Sequence, residues 1–187
     1  MFKMLFSEEY KRYTIINIVM ASVTVGLGFL WHFLFEITGE SRFVGLFAPV
    51  NESVWEHLKI LFFPFVISLC IEYFFYGKRV YNFFSSKAIG LSIGFLSIII
   101  NYYTILGAFG INNMITNISI YVISVIFAYA LSYIRMLKTP KMAGGIFESS
   151  AIAIMGIYFV LFLIFTYYPP YIPLFRDPTT MTYSIFG

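Results

Sequence analysis

Five separate stretches of this chain, at about 14–35, 59–76, 88–106, 115–134 and 147–167, each run apolar for about twenty residues. A helix needs roughly 20 such residues to cross a hydrocarbon core of ~30 Å. Lipid offers no partner for backbone N–H and C=O groups, so only helices and closed barrels can span it. The short alternating runs of an outer-membrane barrel are absent. The expected fold is therefore all-α: a polytopic membrane protein built as a bundle of five transmembrane helices, forming one integral membrane domain over residues 1–187. Composition points the same way. Only 11% of the residues are charged and 60% are hydrophobic, against about 25% charged in soluble domains. Too few charges exist to coat a globule, so the lipid bilayer must be the partner of most of the surface.

The basic residues set the expected orientation. Lys3, Lys11 and Arg12 precede the first stretch, Lys78, Arg79 and Lys87 separate the second from the third, and Arg135, Lys138 and Lys141 separate the fourth from the fifth. The opposite side holds Arg42, Lys59 and Arg176. Cations collect on the cytoplasmic side, which predicts a cytoplasmic N-terminus and an extracytoplasmic C-terminal tail over 168–187. Tyr13, Trp31, Trp55, Tyr76 and Tyr167 fall near the expected ends, as interfacial aromatics do. The N-terminal segment shows no small-residue cleavage pattern after a short apolar core and reads as an uncleaved start. A net charge of +3, carried mostly in connections, excludes nucleic acid as a partner. The single cysteine, Cys70, allows neither an intramolecular disulfide nor a four-cysteine metal site. Ser22 with Gly26, and Gly90 with Gly94, are four apart and mark faces for close helix packing.

The polar residues that remain gather on the extracytoplasmic side. The first span ends in WHFLFEITGE, with His32 and Glu36 four apart and so on one face. The second opens in VNESVWEHLKILFFPF (50–65), which brings Asn51, Glu52, Glu56, His57 and Lys59. Both histidines of the chain thus lie within one or two turns of the same surface. The connection between them, 37–50, is too short to cross and return as helix, and is expected to lie over the bundle as a lid. Pro169, Pro170, Pro173 and Pro178 forbid continued helix in the tail, which is expected to fold back as a cap and bring Arg176 and Asp177 to the cluster. Asn101 either makes an interhelical hydrogen bond or extends the polar pocket inward.

Imidazole with carboxylate is an ordinary zinc ligand set, which makes His32, His57 and Glu56 candidate ligands of a divalent, zinc-like metal, with Glu36 and Glu52 beside them. Boundary Glu and His also serve as proton or ion carriers without metal. A plainer reading is available for part of the group. Ser53 followed three residues later by Glu56 is the capping-box spacing, and Asn51 is an equally good helix cap. Lys59 either snorkels to the surface or pairs with Glu56 or Glu52. Glu72 and Glu148 are expected to pair with Lys78, Arg79, Arg135 or Lys138.

The run GLFAPVNESVWEHLKILFFP, with WHFLFEITG ahead of it and PPYIPLFRDPTT near the end, resembles a family of small multi-pass bacterial membrane proteins classed as a domain of unknown function. That resemblance implies the bacterial cytoplasmic membrane and supplies no catalytic residues. NESVWEHLK is also similar to the segment before the first span of adiponectin-receptor and alkaline-ceramidase-like membrane hydrolases. This chain departs from their pattern, with no C-terminal H-x-x-x-H, no aspartate within a span and five spans where they have seven.

Three classes of function fit these residues. One is a pocket that binds or transports a small ion, metal or amphipathic ligand. Another is a non-catalytic membrane subunit or assembly factor that holds a protein partner. The last is a metal-dependent membrane-embedded hydrolase with Glu52 or Glu56 as general base. Asp177 is the only aspartate, so a serine triad is missing, as is a glycine-rich phosphate loop.

Overall fold

The computed structural model describes residues 8–138 and 145–186. Among them every regular element is helical. In order these are α1 (Glu8–His32), α2 (Leu34–Ile37), α3 (Arg42–Gly45), α4 (Val54–Phe75), α5 (Phe83–Phe109), α6 (Met114–Lys138) and α7 (Ile146–Tyr167), with 3-10 turns at Gly77–Arg79 and Pro173–Phe175. The helices α1, α4, α5, α6 and α7 are long and apolar enough to cross a bilayer. Lys3 and Lys141, two of the cations used to orient the chain, lie outside the described residues.

The helices α1, α4 and α5 start earlier than hydropathy predicts, and for α4 and α5 a capping group explains the difference. Ser53 Oγ accepts from Glu56 N–H (3.3 Å), so α4 begins at Val54 and takes Glu56 and Lys59 into its first turns. The Glu148 carboxylate of α7 accepts from Phe84 N–H (2.7 Å) and Ser85 N–H (3.0 Å), which satisfies two of the orphan donors that open α5. Lys87 therefore lies inside a helix, and not in the connection where its charge suggested. Glu148 caps a neighbouring helix; it was expected to pair with a cation.

Consecutive long helices run in opposite directions, with α4 and α5 at the centre. Of their most apolar stretches 61% and 56% are buried, against 17% in both α1 and α7. In a bilayer, which is as apolar as leucine, apolar burial would hardly distinguish helix from lipid, and close packing with polar ties would hold such a bundle. Phe62 of α4 meets Phe95 of α5 and Phe162 of α7, with ring centroids 6.3 and 5.1 Å away. Pro64 has no N–H to donate within α4, yet the helix continues through it, as apolar bundles permit. Gly90 and Gly94 lie against α6, where an added methyl would strike Ser132 and the Ala128 carbonyl, or Leu61 and Ala128. On α1 the packing face differs from expectation. Ser22 and Gly26 are exposed; Thr24 and Gly28 are buried, and Gly28 leaves the space that the Tyr121 ring fills.

One end of the bundle carries α2, α3, the residues up to Ser53 and the C-terminal tail. The connection folds over that end as expected: Trp31 Nε1–H donates to the Phe47 carbonyl (3.0 Å) and Tyr167 O–H to the Arg42 carbonyl (3.0 Å). The tail also folds back. Phe175 is buried between Trp55 and Phe165, with centroids 4.7 and 5.2 Å away, and Ile185 N–H donates to the Thr166 carbonyl (3.3 Å).

Candidate functional site

His32 is the last residue of α1, Glu52 lies just before α4, and His57 sits in the first turn of α4. Because α1 and α4 are antiparallel neighbours, the three side chains meet at the capped end of the bundle. His57 Nε2 is 3.6 Å and His32 Nε2 3.8 Å from the two Glu52 carboxylate oxygens. The imidazole centroids are 5.6 Å apart. One ligand atom from each residue lies within 4.8 Å of the other two. A zinc ion holding nitrogen and oxygen at about 2.0–2.1 Å in a tetrahedron separates its ligands by ~3.4 Å, so two of the three edges are already near that length. Both are too long for direct hydrogen bonds, and the three groups therefore face a common centre without closing on one another.

The tautomer of His57 is set locally. Its Nδ1 is 2.8 Å from the Ser53 carbonyl, which can only accept, so Nδ1 carries a proton and the neutral ring has its lone pair on Nε2, facing Glu52. A backbone carbonyl behind a ligating imidazole is a common second layer around a metal. The group is open at the surface of the bundle, since the side chains of Glu52, His32 and His57 are 45%, 33% and 19% exposed.

A groove of about 410 Å³ opens from these residues and runs between α1 and α6. Asn112, Asn113 and Asn117 line its polar side, Phe29, Phe33 and Ile118 its apolar side, and Tyr121 lies at its inner end. Pro178 and Thr179 of the tail form part of its wall. The tail is fixed there by Asp177, whose carboxylate accepts from Glu52 N–H (3.1 Å), Thr179 N–H (2.6 Å), Thr179 O–H (2.6 Å) and Thr180 N–H (3.2 Å). Burial opposes ionisation of Asp177, but the donors from Thr179, Glu52 and Thr180 outweigh it and hold the carboxyl below its ordinary 3.8.

A family model described as a family of unknown function, DUF6512, matches residues 2–185. The chain belongs to that family. Comparison with curated proteins and with solved structures gives no match. The DUF6512 match takes in the whole of the capped end, the groove and every residue expected at the site.

Not all of those residues converge in this DUF6512 protein. Glu56, expected as a metal ligand, is not in the group: its carboxylate accepts from Lys59 Nζ (2.8 Å) and Val50 N–H (3.0 Å) and is buried away from the histidines. Glu52 takes its place. The capping box is correspondingly half made, with Asn51 Oδ1 accepting the Ser53 N–H (3.0 Å). Glu36 is exposed and outside the group, because α1 stops at His32 and the i,i+4 alignment ends with it. Lys59 does not snorkel. It is wholly buried and also donates to the Gly45 carbonyl (3.0 Å) and Thr166 Oγ1 (2.6 Å), joining the connection, α4 and α7. Asn101, expected to bond another helix or reach the pocket, donates to the Ser97 carbonyl (2.8 Å) and Ser97 Oγ (3.1 Å) within α5, and it is Ser97 Oγ that accepts from Ser124 Oγ of α6 (2.9 Å). Arg176 is exposed and directed to Met181, while its neighbour Asp177 joins the site.

Sequence reasoning missed the asparagines of the groove and the pairing of Glu72 with Lys87. The asparagines belong to a short polar connection, 110–113, and the first turn of α6, and their number was the available signal. Glu72 and Lys87 lie at matching distances from the α4–α5 turn, a relation visible only once the helix ends are known.

Proposed function

We propose that this chain is a multi-pass protein of the bacterial cytoplasmic membrane, N-terminus inside, that binds a divalent transition-metal ion at its extracytoplasmic end through His32, Glu52 and His57. The single observation that carries the metal reading is the convergence of two imidazole nitrogens and a carboxylate within 4.8 Å, with His57 held as an acceptor at Nε2. The orientation is supported by the distribution of cations. Lys11, Arg12, Lys78, Arg79 and Lys138 are exposed at the end opposite the groove, whereas Arg42 and Arg176 are the exposed cations at the capped end. Burial of Lys59 and Lys87 removes one cation from each side of that comparison and leaves its sign unchanged.

Metal content of the detergent-purified protein, equilibrated with zinc and measured by mass spectrometry, tests the site. About one equivalent is expected in the wild type, with loss in His57→Ala and Glu52→Ala and retention in Glu36→Gln. Absence of stoichiometric metal in the wild type would overturn the reading, as would retention in His57→Ala.

Three protein ligands beside an open groove also favour a second reading, a metal-dependent hydrolase of an amphipathic substrate, since catalytic zinc sites keep a position for water. Zinc-dependent cleavage of a long-chain ester that is lost in Glu52→Ala would select it over binding alone.

A further inference from the structure

The groove beside the three candidate ligands changes character along its depth. Helix α1 reaches the capped end at His32 and α6 leaves it at Met114, so earlier positions of α1 and later positions of α6 lie deeper. The rim therefore holds His32, Glu52, Asn112 and Asn113, and the floor holds Gly28 and Tyr121. From Asn113 to Tyr121 the helical rise is about 12 Å. Tyr121 donates its hydroxyl to the Thr24 carbonyl (2.8 Å), and Phe29 meets its ring in a T-shaped contact at 6.2 Å. The ring fills the space over Gly28, where an added methyl would strike it. The floor is thus closed, and its one polar side chain is already engaged. Phe29, Phe33 and Met114 are exposed, which leaves the groove open sideways between α1 and α6.

The charge at the rim depends on the metal. Among the described residues no lysine or arginine lines the groove. Without metal the rim carries the Glu52 carboxylate, with that of Asp177 bonded to the Glu52 amide (3.1 Å), and an anion is repelled. Zinc on His32, Glu52 and His57 reverses this, because it adds two positive charges to one negative and keeps a fourth tetrahedral position free. A carboxylate oxygen is an ordinary ligand for that position and neutralises the charge left over. Asn113 Oδ1 accepts from Thr116 N–H (2.9 Å), so the Asn113 amide hydrogens remain to donate to a second carboxylate oxygen at the rim.

The floor selects hydrocarbon. A peptide or sugar reaching it would bury polar groups without partners, at about 1–3 kcal/mol each. An alkyl chain has none to lose. In a bilayer such a chain gains little by exchanging lipid for Phe29 and Ile118, so the head must supply most of the affinity and the groove the fit. A volume of about 410 Å³, with a reach of about 12 Å, suits one chain of roughly decanoyl length.

We propose that the ligand of the zinc-loaded groove is a fatty carboxylate, which enters from the bilayer between α1 and α6, places its carboxylate on the metal and directs its chain to Tyr121. The proposal rests on the metal reading above and goes beyond it in naming the ligand.

The test uses the full zinc-loaded chain in phosphatidylcholine vesicles that contain decanoic acid with a diazirine at the chain end, in mildly alkaline buffer where the acid is ionised. After irradiation, mass spectrometry maps the labelled residues. Label should fall on Phe29, Ile60 and Tyr121, severalfold above that from decanol carrying the same diazirine. Zinc removal by a chelator, or His57→Ala, should reduce acid labelling to the alcohol level. Ile118→Trp, which narrows the groove without touching a zinc ligand, should keep its zinc and lose the label. The comparison of acid with alcohol needs no variant, so a substitution that misfolds does not stop the test. Equal labelling by acid and alcohol, label spread evenly over the exposed faces of α1 and α7, or undiminished label in a zinc-retaining Ile118→Trp protein would each overturn the proposal and leave the metal reading standing. A wild type without zinc overturns both.

Discussion

Lys59 shows how far one side chain can be read from sequence. Its charge marks it for the water boundary, and a boundary lysine either snorkels or pairs. The structure buries it completely, because four groups from three segments surround Nζ: Glu56, the Gly45 and Ala48 carbonyls and Thr166. None of those segments is near Lys59 in sequence except Glu56, so the tie was legible only as a pair and not as a junction. Lys59→Met is expected to destabilise by about 3–5 kcal/mol, since it leaves the Glu56 carboxylate buried without a counter-charge. Adding Glu56→Gln should restore much of that loss. Unfolding in detergent measures both, and a Lys59→Met protein as stable as wild type would show that the junction does not hold the end of the bundle.

At the level of elements, hydropathy located all five long helices because their interiors are apolar without interruption. Their ends were less legible, since Lys59 and Lys87 were assigned to boundaries while α4 and α5 each begin five residues before the expected stretch. A charge buried with its partner looks, in one dimension, like a charge in water. The cap on α5 is a further case: Glu148 is 64 and 63 residues from the amides it binds. Glu148→Ala should lower stability by about 1–2 kcal/mol, in the range of other lost N-caps. Faster hydrogen exchange at Phe84 and Ser85, with little change deeper in α5, is the expected signature.

For the whole molecule, the cluster of polar residues at one end was legible because both histidines and four of the nine carboxylates lie in or beside the same connection. Which carboxylate faces the histidines was not, since Glu52 and Glu56 differ by one helical turn and only the Lys59 contact separates their roles. The tail closes that end through Asp177. Its carboxyl is held low, so the anchoring it gives is present above the ordinary value near 3.8 and is lost as pH falls through the folded value. Fluorescence of Trp55, whose ring packs against Phe175, should therefore stay constant from neutral pH down to about 4 and change only below it. Removing 176–187 should free the Glu52 amide, open the groove wall and weaken zinc binding without unfolding the five long helices. Finally, α4 carries Glu56 and Glu72, sixteen positions and about 24 Å apart. The two carboxylates fasten opposite rims of the protein to one rod, and at that separation each fastening fails on its own. Unfolding losses from disabling both should sum to within about 0.5 kcal/mol, which makes α4 a spine with two independent clasps.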